Sequence, residues 1–357
     1  MPAPLRPVTA GRPGLALAGL AGLAVLAAAC SSPASTATAR GGELAWVANY
    51  AYDSQPGDTV TPVDTAQGAA QPTVTTGSEP SALAPDGGSL LVTNKGANTM
   101  SVVAVASRQV TSTVRVGLQP DGVAVAPGGT GGRGLAVVAN FGASTVSVVD
   151  LGTGRTTATV VVGNEPVAVA VDTGAPTTDA VGTVQAPLAL VACFGSGTVV
   201  PINLRTDQAM PAITVGNEPD AVGVVPGAGA ASAGHALVAN FGSTTVSPID
   251  LSTLQAGQPI TVGGNPTGIA VTGSTAWVSG GASLTPIDGS TLTAGMPVAM
   301  PNVAEAVAVA DGGSTAWVAL QDGELVPVIL ADHHVGRPVT VGGRPSAVAV
   351  TAAAGTS

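Results

Sequence analysis

"LLVTNKGANTMSVVAVASRQVTSTVRVGLQPDGVAVAPGG", Leu90–Gly129, contains four short apolar runs rich in Val and Ala. Asn, Gly or Pro ends three of them, and the polar turn Ser107–Gln109 follows the other. The runs are too short for helices, and β-branched residues between turn formers specify strands. In chain order they are "LLVTN", "TMSVV", "TSTVRVG" and "GVAVAPGG".

The same order recurs along the chain. The first run returns as "LAWVAN", "LAVVAN", "LALVAC", "HALVAN", "TAWVSG" and "TAWVAL". Its Val falls at Val47, Val92, Val138, Val191, Val238, Val278 and Val318, with intervals of 40 to 53 residues. The opening turn and last run return as "TGSEPSALAPDGG", "VGNEPVAVAVD", "VGNEPDAVGVVPG", "VGGNPTGIAVTG", "MPNVAEAVAVADGG" and "VGGRPSAVAV". A unit of about 40 residues with four strands is one propeller blade. The sequence therefore predicts an all-β, seven-bladed β-propeller.

Closure follows from the ends of the repeat array. "LAWVAN" is a second strand with no innermost strand before it. "SAVAV", Ser346–Val350, is an innermost strand with nothing after it. The carboxyl-terminal strand is expected to pair into the amino-terminal blade, leaving no free edge. One feature conflicts with this pattern. Pro62, Pro201, Pro248, Pro286 and Pro327 share one place in the third strand, where a missing N–H should be costly. A bulge, or a neighbour that needs no donor there, would reconcile it; the sequence does not choose.

Leu90–Gly129 resembles the YVTN-type β-propeller repeat of secreted and surface proteins, and the resemblance runs across residues 44–350. It implies the fold and no single activity. The first residues imply export. Arg6 and Arg12 precede the apolar stretch Leu15–Ala29, which is too short to span a bilayer. "LAAAC" ends at Cys30 and resembles the lipobox of bacterial lipoproteins, although Ala27 stands where Leu is usual. The expected organisation is a signal peptide over 1–29, a flexible tether over 30–42 after lipidated Cys30, the propeller over 43–351 and a tail over 352–357. The expected location is the cell envelope, on the outer face of a bacterial membrane and held there by the lipid alone.

The chain has 357 residues, 9 % charged and 2 % aromatic, with 49 Gly, 28 Pro and a formal net charge of −10. Removing residues 1–29 takes away two more Arg. Such an acidic chain repels nucleic acid and anionic headgroups. Cys193 is the only cysteine besides Cys30, which excludes a disulfide once Cys30 is acylated. In a Val/Ala strand it is expected to be a small buried hydrophobe.

Chain parity places the loops. The second-to-third turns and the turns entering the innermost strands share one face, at the mouth of the central channel. That face collects the residues before Pro, Glu79, Gln119, Glu165, Glu218, Asn265 and Arg344, together with Asp121 and Asp220 at strand starts. It also collects Tyr50, Phe141, Phe194 and Phe241, with Lys95 in the same register. Carboxylates around a funnel attract cationic groups. The plainer alternative is that they are solvated turn residues. The aromatics serve either a partner or glycan patch or packing between blades. Trp46, Trp277 and Trp317 share a mid-strand register and are expected in the core. Asp64, Asp150, Asn203, Asp250 and Asp288 end third strands, as Asx turns require.

No nucleophile elbow, zincin helix, haem motif or P-loop occurs in the sequence. No catalytic residue, metal ligand or cofactor is assigned. The sequence favours a non-enzymatic, lipid-anchored binding scaffold for an envelope protein, a glycan or a small ligand. The alternative from another class is a lactonase-type propeller hydrolase using channel-mouth carboxylates.

Overall fold

The computed structural model describes residues 42–52, 55–173, 178–179, 182–183, 187–227, 234–310 and 312–353. Residues 1–41, which hold the expected signal peptide, Cys30 and nearly all of the tether, and residues 354–357 of the expected tail lie outside the described residues. Among those described, seven antiparallel sheets form the blades, and Thr178–Asp179 pairs with Gly182–Thr183 in a separate ribbon. No described helix is long and apolar enough to cross a membrane.

The second blade is typical. Its strands are Pro80–Asp86, Ser89–Asn94, Thr99–Ala104 and Gln109–Arg115, ordered from the channel outward. Strand Glu43–Tyr52 lies between Gln55–Asp64 and the carboxyl-terminal Arg344–Ala352, with Val47 opposite Val348. The last strand therefore completes the first blade, as the repeat order predicts.

Seven hydrophobic clusters hold the ring together, each a wedge between neighbouring blades. Ala126, Val137 and Val146 of the third blade meet Ala189, Val191 and Ile202 of the fourth. The seam is no weaker. Ala45, Val47, Val63 and Val348 of the first blade pack on Trp317, Ala319 and Leu325 of the seventh. Each fully buried Val or Leu contributes about 1.5–3 kcal/mol. Trp46, Trp277 and Trp317 are all core, at 0 %, 5 % and 3 % exposure. Cys193 is buried as well, and burial pushes its thiol up to about 11.

The third-strand prolines have a structural consequence. In the second and third blades, where Val102 and Val148 take that place, the outermost strand is continuous over seven residues. In each proline blade it breaks into two pairs, such as Gln208–Ala209 and Ile213–Thr214 around Pro201. With no N–H to offer, the proline releases the outer chain, which bows away. The proline carbonyl still accepts a bond, from the Met210 N–H to Pro201 O at 2.8 Å, and likewise at Pro62, Pro248, Pro286 and Pro327. Of the two reconciliations open in the sequence, the neighbour that needs no donor is the one seen at the prolines; the register shift at this place falls in the second and third blades, at Val102/Val103 and Val148/Val149.

Third-strand ends carry the expected turns. Asp64 accepts from the Ala66 and Gln67 N–H groups, Asn203 from Arg205, Asp250 from Ser252 and Thr253, and Asp288 from Ser290 and Thr291. Asp150 accepts from the Thr153 N–H and from the Thr130 hydroxyl and N–H. The Thr130 hydroxyl does most to hold that carboxyl down at about 2.

Candidate site at the channel mouth

The innermost strands share one irregularity. In every blade the pairing with the second strand slips immediately after the proline position, as between Pro166 and Ala168 or Pro219 and Ala221. A bulge of this kind re-aims the extra residue. The seven residues following that position are Ser81, Asp121, Val167, Asp220, Thr267, Glu305 and Ser346. All seven line one cavity of about 480 Å³ on the channel axis.

Three of the seven latch blades together. The hydroxyl of Ser346 donates to Pro80 O at 2.9 Å, Ser81 to Pro120 O at 3.0 Å, and Thr267 to Ala304 O at 2.8 Å. Each bond joins one blade to the next. Asp121, Asp220 and Glu305 stand in the same register on alternate blades. An ionised carboxylate has no proton with which to make that latch.

Two of these acids are paired within the mouth. Lys95 Nζ lies 2.5 Å from Asp121 Oδ2 and 4.4 Å from the Phe141 ring centre. Arg344 Nη2 lies 3.4 Å from Glu305 Oε1. Burial raises the Asp121 carboxyl above its ordinary value, opposed by the charge and hydrogen bond of Lys95. Among the described residues, no hydrogen bond or ion pair reaches the Asp220 side chain. Its carboxyl is pushed up to about 7, first by loss of water and then by the negative charges of Asp121 and Glu305, with Lys95 opposing and Glu218 adding. Asp220 is half-buried: the cavity reaches its carboxyl, and protein encloses it on the other sides.

Below this ring lies an apolar one. Leu83, Val123, Val169, Val222, Ile269, Val307 and Val348 also line the cavity, and each is the inner end of a different interblade wedge. Between the two rings come only Ala or Gly, because the strands approach closely. A Cβ on Gly122 would lie 2.5 Å from Val167 O.

The channel cavity thus brings together Asp121, Asp220, Arg344 and Tyr50 of the residues singled out in sequence. Glu79, Glu165 and Glu218 share the face but are not among its lining. Their backbones are left-handed, at φ 55°, 53° and 51°. Their carbonyls accept the N–H of Lys95, Phe194 and Phe241, tying the two sets of mouth loops together. Each side chain lies over the glycine of the adjoining turn: Gly96, Gly195 or Gly242. Phe194 and Phe241 touch across blades, with ring centres 6.3 Å apart, and Phe241 is 36 % exposed.

Glu305, Ser81, Thr267 and Ser346 were not singled out in sequence. Aligning "NVAEAV" with "NEPDAV" places Glu305 in register with Asp220, the signal that would have found it. Among the described residues, no group of three or more His, Cys, Asp and Glu is arranged to hold a metal ion.

No family model matches the chain, and no curated protein matches it in sequence. Solved structures do resemble it. Hydrazine synthase of Kuenenia stuttgartiensis aligns with a TM-score of 0.62 at 17 % identity, over 76 % of this chain and 89 % of that one. A functionally unknown protein from Desulfotomaculum acetoxidans gives 0.70 at 12 % identity, over 86 % and 98 %. Apo AztD from Citrobacter koseri gives 0.58 at 12 % identity, over 89 % and 100 %. At these identities the likeness defines the class, a seven-bladed β-propeller, and carries no activity with it.

Proposed function

We propose that this chain is a non-enzymatic binding propeller of the YVTN-repeat kind that presents its channel mouth to a ligand. The observation behind the proposal is the row after the proline position. Where other blades place a latching hydroxyl, Asp121, Asp220 and Glu305 give up the latch and face a cavity of small-ligand size. Charge placed at a structural cost is the mark of a binding surface.

The rest of the proposal comes from the sequence. Residues 1–29 are removed on export, Cys30 carries lipid, 30–42 are a tether and 43–351 form the working domain at the outer face of the membrane. The residual face, with Phe194 and Phe241, is available to an envelope protein or glycan. No observation favours the lactonase-type alternative.

Two measurements test this. Cys30→Ser should move the protein from the membrane fraction to the soluble one; retention on the membrane contradicts the anchor. Val167 is the one member of the mouth ring with neither charge nor latch, so Val167→Trp plugs the cavity with least disturbance. Ligands that raise the melting temperature of the wild-type chain should fail to do so for this variant. Equal shifts in both would place binding elsewhere.

A further inference from the structure

The charges at the mouth do not cancel. Lys95 neutralises Asp121 and Arg344 neutralises Glu305, while Asp220 faces the cavity alone. Among the residues that line the cavity, one negative charge remains whenever Asp220 is ionised. Beneath it lies the ring of branched aliphatic side chains, with no charged group among them. Beside it, Thr267 has already donated its proton to Ala304 O, so its oxygen is left as an acceptor.

Building on the binding role proposed above, we infer that the channel takes a small amphiphilic monocation: an alkyl- or arylalkyl-amine whose ammonium pairs with Asp220 and whose apolar body rests on the aliphatic ring. The chemistry excludes the other classes in turn. An anion meets net negative charge. A neutral amphiphile leaves a desolvated carboxylate unmatched wherever Asp220 is ionised, as at pH 8. A hard metal ion needs six or so oxygen ligands, and no suitable cluster exists among the described residues. An ammonium needs one carboxylate and a few acceptors, which Asp220 and Thr267 supply.

Proton linkage provides an independent signature. Asp220 is surrounded by Asp121, Glu305, Glu218 and Lys95, and its empty-site carboxyl sits at about 7. A bound ammonium favours the ionised form, so binding expels a proton near neutral pH. The ligand itself stays charged to about pH 10. Affinity should therefore fall about tenfold between pH 8 and pH 6.

The test is calorimetric titration of the purified full chain at pH 8 with hexylammonium, against hexanol, hexanoate and calcium. Hexylammonium should bind at one site, at least tenfold more tightly than hexanol or hexanoate, and in a repeat at pH 6 to 7, where Asp220 is largely protonated in the empty site, it should release protons. Asp220→Asn should weaken it at least tenfold, and Val167→Trp should abolish it. The inference is overturned if hexylammonium does not bind, if Asp220→Asn binds it equally well, or if calcium competes it away. Should hexanol or hexanoate bind instead and Val167→Trp block them, the channel keeps its binding role and only the amine assignment falls. Should no ligand bind in the channel, both fall.

Discussion

Trp46 and Thr351 stand 305 residues apart in the chain, yet the Trp46 indole N–H donates to Thr351 Oγ1 at 2.9 Å in the core. The bond joins the first described strand to the last. It lies inside the blade that closes the ring, and its donor is fully buried.

Replacing Thr351 with Val keeps the shape and removes the acceptor. A buried indole N–H without a partner costs about 1–3 kcal/mol. Denaturant unfolding of Thr351→Val should show a loss of that size. Removing residues 344–357 takes away the whole innermost strand of the first blade and should abolish the cooperative transition. Unchanged melting of the truncated chain would contradict the closure.

Gly122→Ala should destabilise through the backbone. The added Cβ would press on Val167 O and on Ala168 Cα at 2.7 Å, on a neighbouring blade. Neither can rotate aside, so a loss of about 1–3 kcal/mol is expected from chemical denaturation. Gly87→Ala makes a useful contrast: there the strain is conformational, at φ 55°, with open space around the position.

The proline blades should breathe at their rims. Hydrogen exchange at the outermost strands should be slow in Gln109–Arg115 and Arg155–Val161, where the strand runs unbroken past a single register shift. It should be faster in Gln208–Ala209, Ile213–Thr214 and their counterparts, where two-residue pieces fray independently. Equal protection across all seven rims would show that proline does not divide the outer strand.

Much of this was legible in the sequence, for a physical reason. A blade cannot bury both its faces alone, so each copy repeats the same apolar face, and the repeat states the architecture. Parity likewise put Asp121 and Asp220 on the mouth face beside the aromatics. What sequence could not supply was the bulge after the proline position. A one-residue slip re-aims a side chain, so the residue after proline lines the cavity, while Glu79 and Glu165 lie across their own turns. Glu305 was masked because Ala304 replaces the proline that marks the register elsewhere.

Asp220→Asn should stabilise the protein, and only above acid pH. An acid whose folded value lies above its unfolded one binds its proton more tightly when folded. Stability is therefore unaffected below the unfolded value, 3.8, and declines as pH rises toward about 7. Above that the penalty levels off at up to about 4 kcal/mol, less whatever channel water screens. The melting temperatures of the wild type and the asparagine variant should coincide near pH 3 and separate progressively to pH 8.

The most direct measurement is the titration of the Asp220 carboxyl itself, followed by carbon-13 NMR of the labelled full chain and assigned through Asp220→Asn. A free carboxylate enclosed at the channel mouth should titrate near 7 in the empty protein, and well below that with hexylammonium present. A carboxyl that titrates near 3.8 with and without the amine would show that Asp220 is an ordinary solvated turn residue, and the account of the channel as a cation site would be wrong.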